Sequence, residues 1–235
     1  MKFTKMHGCG NDYVYIDCRD GIPENVENLA VKLSDRHKGI GGDGIILICS
    51  SDKADFMMRI FNADGSEGKM CGNGIRCVAK FVFDKGLTDK KYLEIDTLSG
   101  VKYITISEDA KPGDERILVA VDMGEPEVES LNETVTLSDG TSLAGSVVSM
   151  GNPHFVCLIE SAITDEMVLG LGPKAERHER FPDRSNIEFA RVVGKDELEM
   201  RVWERGSGET MACGTGAFAT AVAAIKNGLT GNAVT

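Results

Sequence analysis

Met58-Arg59-Ile60-Phe61 … Glu67 … Cys71-Gly72-Asn73-Gly74 … Gly86-Leu87-Thr88 is answered 142 positions later by Met200-Arg201-Val202-Trp203 … Glu209 … Cys213-Gly214-Thr215-Gly216 … Gly228-Leu229-Thr230. Aligned without a gap, residues 58–88 and 200–230 share 10 identities in 31 positions, where chance would give about 2. A chain of 235 residues has room for one large domain or two small ones. The duplication decides for two, divided here as 1–117 and 118–235.

The pattern around the repeat is mixed α/β (α+β). Tyr13 to Ile16, Ile45 to Ile48 and Phe56 to Phe61 read as strands, and Leu29 to Arg36 as a helix. A helix follows Cys71, from about Gly72 to Lys85, and Gly86 stops it. Leu93 to Thr97 and Lys102 to Ile106 form a hairpin, Lys111 to Glu115 a polar turn, and Ile117 to Asp122 the next strand. In the second half strands fall near 147–149, 155–159, 187–193 and 198–203, and a helix runs from Gly214 to Asn227. That last helix has few polar residues on any face, which predicts burial all round. Its counterpart, with Ile75, Val78, Ala79, Val82 and Phe83, is nearly as apolar. Each half is therefore expected to wrap a curved, mostly antiparallel sheet or barrel around one central helix. Asn232 to Thr235 reads as the start of a strand, so C-terminal strands are expected beyond it.

Each repeated cysteine stands just before Gly-x-Gly and an apolar helix. The glycines admit a ligand close to backbone N–H groups, and the helix dipole favours an anion there. On that reading the dipole lowers the thiol pKa, and the same N–H groups can hold a carboxylate. A lone cysteine is more often a small buried hydrophobe; two at equivalent helix starts point to chemistry. Inverting a stereocentre next to a carboxylate needs a proton removed from one face and returned on the other. One thiolate and one thiol, on matched halves around a cleft, can do this in either direction.

Composition excludes other classes. With 42% hydrophobic and 27% charged residues the chain is of ordinary globular type. Its net charge of −11 offers no basic stripe for nucleic acid. No apolar run is long enough to span a bilayer, and Met1 to Gly8 lacks the apolar core of a signal peptide, so a cytoplasmic protein is expected. Seven cysteines, an odd number without Cys-x-x-Cys spacing, fit neither a disulfide scaffold nor a zinc site. Gly39-x-Gly41-x-x-Gly44 matches a dinucleotide fingerprint in form only, because it follows a helix and opens a strand. Cys77 aligns with Ala219 and so lies outside the duplicated chemistry; Cys9, Cys18, Cys49 and Cys157 have no repeated partner and read as packing residues.

The chain resembles the diaminopimelate epimerases, cofactor-independent amino-acid epimerases. The resemblance is carried by His7-Gly8-Cys9-Gly10-Asn11-Asp12-Tyr13, Arg36 to Gly44, Phe61 to Glu67, Cys71 to Cys77, Met150-Gly151-Asn152-Pro153-His154, Glu204 to Thr210 and Ala212 to Gly216. It implies two similar α/β halves with the active site in the cleft between them. It also implies interconversion of LL- and meso-2,6-diaminopimelate in lysine and cell-wall precursor biosynthesis, without pyridoxal phosphate, other cofactor or metal, by a homodimer. In the LL-to-meso direction Cys71 would donate the proton and Cys213 accept it, with His154 and Glu204 tuning the thiols. Substrate contacts would come from Asn11, Asn62, Asn152, Asn186, Glu204 and Arg205, and from the N–H groups of Gly72, Asn73, Gly214 and Thr215. Many members carry Gln where this chain has Gly44, so one contact is expected to be lost; Asn186, at the same offset in the second half, keeps its amide.

Simpler readings stand beside these. Asn11, Asn62 and Asn152 all sit in turn-like contexts, His154 alone would be structural, and Glu204-Arg205 would be a solvated charge pair. Two other functions remain open on the residues. One is a binding protein for an amphoteric amino acid; the other is a thiol redox protein that cycles a Cys71–Cys213 disulfide. A proline or hydroxyproline racemase is disfavoured by Glu204-Arg205, since a cyclic imino acid has no distal charges to bind.

Overall fold

The computed structural model describes residues 1–235. The chain divides into two compact units, Met1–Met123 and Gly124–Thr235. The sequence reading placed the division after residue 117. The strand at Val119–Val121 hydrogen-bonds to its predecessor at 102–106, and that pairing carries the first unit on to Met123.

In the first unit β1 (Thr4–Gly8), β2 (Asn11–Asp17), α1 (Val26–Ser34), β3 (Gly44–Cys49), β4 (Phe56–Asn62), β5 (Glu67–Gly68), α2 (Gly72–Asp84), β6 (Tyr92–Asp96), β7 (Lys102–Ile106) and β8 (Val119–Val121) follow in order. The strands form one curled sheet in the order β1-β2-β3-β4-β6-β7-β8, with β5 on β4. β2–β3 and β4–β6 are parallel. The continuous apolar run of β3 serves both faces, as alternation along a strand requires. Ile46 and Ile48 face the core around α2, and Ile45, Leu47 and Cys49 face the core under α1. Leu93, Ile95, Ile104 and Ile106 of β6 and β7 close over α2, whose Ile75, Val78, Ala79 and Val82 are fully buried.

The second unit contains β9 (Glu127–Thr136), β10 (Ser142–Ser149), β11 (Pro153–Leu158), a π-helical turn (Glu166–Leu171), α3 (Gly172–Glu176), β12 (Asn186–Gly194), β13 (Glu197–Glu204), β14 (Gly208–Glu209) and α4 (Gly214–Lys226). Its sheet runs β14-β13-β12-β11-β10-β9. The pattern antiparallel, parallel, antiparallel, antiparallel along β10 to β14 repeats that along β1 to β5. The register makes the duplication specific: Ile45 pairs with Phe61 as Ile187 pairs with Trp203, and Tyr13 pairs with Gly44 as His154 pairs with Asn186. These pairings make Tyr13 the counterpart of His154, Asn11 of Asn152, and Ile46 of Glu188.

Several expectations are corrected. β9 was not anticipated, because Glu127 to Thr136 is mostly polar and only Val135 is fully buried. The helical stretch from 166 to 176 was hidden by Gly170, Gly172 and Pro173, yet Pro173 sits where a helix start tolerates it. α1 begins earlier than expected because Asn25 caps it, its side chain accepting from Asn28 N–H. The largest difference is α4, which is not buried all round. Ala219, Thr220, Ala223 and Ala224 pack inward, but Ala217 is exposed and Phe218 is 44% exposed. In the first unit β6 to β8 cover the corresponding helix. No helix is long and apolar enough to cross a membrane.

This contrast gives unequal costs of truncation. Ile75→Ala in α2 is expected to cost about 2–5 kcal/mol, whereas Phe218→Ala in α4 should stay within about 1 kcal/mol. Urea unfolding of the two variants measures both.

Candidate active site

Both repeated cysteines are helix N-caps. The Cys71 sulfur accepts the N–H of Gly74 at 3.3 Å, and the Cys213 sulfur accepts that of Gly216 at 3.3 Å. Each thus occupies the place that Ser or Asp usually takes, satisfying an amide that a helix start leaves without an intrahelical partner. The two glycines permit the approach. A Cβ on Gly74 would lie 2.6 Å from Ile46 Cδ1, and one on Gly216 would lie 2.7 Å from Glu188 Oε1. The first turn of each helix rests directly on an interior strand of its sheet, β3 or β12.

Around Cys71, the thiol donates to Asn11 Oδ1 at 3.2 Å. Asn11 is held in turn by Asp43, whose Oδ2 accepts from Asn11 Nδ2 at 2.8 Å and from the Asp12 N–H at 3.0 Å. Arg36 bridges Asp12 and Asp43, and Lys5 pairs with Asp12. Burial alone would raise the Asp12 carboxyl; Arg36 and Lys5 outweigh it and bring the pKa down to about 2. The Tyr13 phenol lies beside Asn11 and Cys71, and burial, then the sulfur, push it well above its usual range. Gly72 and Asn73 form the first turn of α2 and are buried, with Asn73 Oδ1 accepting from Arg76 at 2.7 Å. Asn62 is engaged locally, its Nδ2 donating to Ser66 Oγ at 3.0 Å within its own turn. At Gly44 a Cβ would lie 2.1 Å from the Phe61 carbonyl oxygen, so this backbone has no room for a side chain there.

Around Cys213 the surroundings differ. Its sulfur is 3.5 Å from Thr215 Oγ1, which accepts from Asn152 Nδ2 at 3.3 Å. Asn152 Oδ1 meets His154 Nε2 at 3.2 Å, and His154 Nδ1 meets Glu188 Oε1 at 2.6 Å. His154 and Glu188 are completely buried. Gly214 and Thr215 supply the first turn of α4. Glu204 accepts from the Thr210 hydroxyl. Asn186 is engaged by backbone at both ends of its amide, donating to Pro153 O at 3.0 Å and accepting the Arg205 N–H at 2.9 Å. It therefore pins the turn that carries Glu204 and Arg205. Arg205 is exposed and donates to the Asp183 carbonyl at 3.1 Å.

The helix dipole does not set the Cys213 thiol. Burial first, then the negative charges of Glu204 and Glu188, push its pKa up to about 12, against the downward pull of Thr215 and the Gly216 N–H. Desolvation outweighs the dipole because only 8% of the residue is exposed. The free protein accordingly holds Cys213 as a thiol. All seven cysteines are free.

Three supporting residues were missed by sequence reasoning: Asp43, Glu188 and Glu176. Glu176 is buried and accepts from Trp203 Nε1 and the Gly206 N–H, both at 3.0 Å, bracing the turn at 204–206. Glu188 had a readable signal, a carboxylate inside the apolar run Ile187-Glu188-Phe189. Asp43 lies in a stretch that reads as an ordinary turn, and Glu176 in one whose helix Gly170, Gly172 and Pro173 hide.

Removing the charge of Glu204 should make the Cys213 thiolate easier to form. In Glu204→Gln the pH midpoint of Cys213 alkylation by iodoacetamide, followed by the mass of its peptide, is expected to move down from the wild-type value. An unmoved or higher midpoint contradicts the assignment.

Comparison with known proteins bears on the family of the chain. The family profile described as diaminopimelate epimerase matches residues 3–129 and 146–235. A diaminopimelate epimerase of Bacteroides thetaiotaomicron is 54% identical over 231 residues, covering 98% of this chain and 84% of that protein. One of Acetivibrio thermocellus is 48% identical over 241 residues, with 97% and 84% covered. Among solved structures, a Bacillus anthracis protein of the PhzF family superimposes with a TM-score of 0.67 at 17% identity, covering 95% of this chain and 80% of that one. A hydroxyproline epimerase of Agrobacterium vitis does so with a TM-score of 0.67 at 15% identity, covering 97% and 77%. At those identities the likeness is one of fold. The family profile and the relatives near half identity carry the assignment: this chain belongs to the diaminopimelate epimerase family of isomerases.

Proposed function

We propose that the chain interconverts LL- and meso-2,6-diaminopimelate by moving one α-proton between two sulfurs, with no cofactor in the step. The observation that carries this reading is the pair of cysteines at equivalent helix N-caps, with Asn11 accepting from the Cys71 thiol and Asn152 donating to Thr215, whose hydroxyl lies 3.5 Å from the Cys213 sulfur. In the LL-to-meso direction the Cys213 thiolate takes the α-proton, becoming a thiol and leaving a carbanion. The Cys71 thiol returns a proton to the opposite face, becoming a thiolate. Product release and proton exchange with water restore the starting state. The charge that develops on the α-carboxylate is met by N–H groups at the helix starts, Gly72-Asn73 and Gly214-Thr215.

A thiol held near pKa 12 needs help to act as a base. The substrate supplies it: an ammonium group arriving near Glu204 offsets the negative field that keeps Cys213 protonated. Arg205 suits the distal carboxylate, through the two-pronged geometry of its guanidinium. Glu204 and the carbonyls of Asn11 and Asn152 suit the ammonium groups. Selective binding of one distal configuration would make the reaction an epimerisation rather than a racemisation. The doubly zwitterionic substrate would also account for Glu204-Arg205 standing where the first half has Asn62-Ala63.

The test is incubation with LL-diaminopimelate in deuterated water. One deuterium is expected at the inverted α-carbon, without added pyridoxal phosphate or metal. Cys71→Ala and Cys213→Ala should each lower turnover by about 10²-fold or more, while an amino-acid binding protein would keep its ligand affinity and show no turnover to lose. Absence of exchange in the wild-type protein, or turnover surviving either substitution, overturns the reading.

A further inference from the structure

Glu188 is a buried carboxylate that the proposed reaction leaves without a task. One oxygen, Oε2, has no hydrogen-bond partner and no contact with water. Such a group is costly to bury, and the counterpart position in the first unit holds Ile46, which packs quietly against α2. The geometry around Glu188 is directional. His154 Nε2 lies 3.2 Å from a carbonyl oxygen, Asn152 Oδ1, a contact that a hydrogen on Nε2 satisfies. His154 Nδ1 lies 2.6 Å from Glu188 Oε1, so a proton lies there too. A neutral imidazole has one N–H; the pair therefore holds one proton more than a carboxylate and a neutral ring. With its Oδ1 taken by His154, Asn152 turns Nδ2 to Thr215 Oγ1. The Thr215 hydroxyl, having accepted, has its own hydrogen free to turn to the Cys213 sulfur 3.5 Å away when that sulfur is a thiolate.

We propose that Glu188 is a positioning residue for Cys213, sharing a proton with His154 so that every donor in the chain His154–Asn152–Thr215 points toward the sulfur. The arrangement gives Cys213 a donor that favours its thiolate, and the proton shared with His154 offsets the Glu188 charge that otherwise favours the thiol. The groups facing this network are Glu204 from β13, Thr215 and the Gly216 N–H from α4, and Cys157 from β11. In the first unit Tyr13 and Asn11 serve Cys71 with no buried acid behind them, so the two sulfurs are supported differently.

The role in turnover rests on the epimerase reading; the protonation of the network does not. Nitrogen-15 NMR of the His154 ring in the wild-type protein should show Nε2 carrying hydrogen throughout the neutral range. An unprotonated Nε2 overturns the proposal, and this measurement needs no variant to fold. Glu188→Gln keeps the shape but leaves a single ring proton, so Asn152 can turn either way. Its kcat/KM for diaminopimelate should fall about tenfold or more, by analogy with partners that orient histidine ligands. The acid limb of its pH profile should move to higher pH, since the pair is neutral before and after and only the donor to the thiolate is lost. A folded Glu188→Gln protein with unchanged kcat/KM and pH profile overturns the proposal. If the wild-type protein exchanges no deuterium into diaminopimelate, the epimerase reading falls, and the ring protonation still decides the network.

Discussion

A helix start pressed onto a strand is the constraint on which the rest depends. Gly74 and Gly216 have no Cβ, and the space one would need is filled by Ile46 and Glu188. The first turns of α2 and α4 therefore sit against β3 and β12, with the preceding cysteine sulfur capping each helix. One geometric decision thus does three things. It satisfies an amide of the helix start, it aims N–H groups at the neighbourhood of the sulfur, and it brings the residues of two adjacent strands within reach of the thiol. A side chain at either glycine would lift the helix and dissolve the arrangement.

On that shared frame the two units diverge in what lies beneath the sulfur. Beneath Cys71 the strand offers Ile46, and the neighbouring strand offers Tyr13 and Asn11, with Asn11 fixed by the Asp12–Arg36–Asp43 cluster. Beneath Cys213 the equivalent places hold Glu188, His154 and Asn152. The backbone repeat supplies two equivalent caps, and strand side chains make them chemically unequal. Burial and two carboxylates hold Cys213 protonated, which makes its ionisation conditional on what enters the site.

Much of this was legible in the sequence because the signals are local. The strand before each cysteine, the Cys-Gly-x-Gly turn and the apolar helix after it lie within about thirty residues, and periodicity with glycine stops marks them. The strings around Asn11, Asn152, Glu204 and Cys213 pointed to residues that the fold gathers within their own unit. The polar strand β9 was not legible, since its sides carry too little apolar pattern. Nor was the helical stretch before β12, where Gly170, Gly172 and Pro173 read as breakers. The half-exposed face of α4 also escaped, because apolar composition does not record which face packs inward.

What the sequence determined by itself is the duplication, the two helix-capping cysteines and the family to which they point, since each depends on the order of neighbouring residues. Tertiary structure alone decided which amides are taken and which thiol is protonated. Asn186 is spent on Pro153 and Arg205, and Asn62 on Ser66. Glu188 reaches His154 from 34 positions away, and Cys213 loses the benefit of its helix dipole to burial. The physical reason is common to all of them. Hydrogen-bond partners and solvent exclusion are set by side chains far apart in the chain, and no local pattern records which of them will meet.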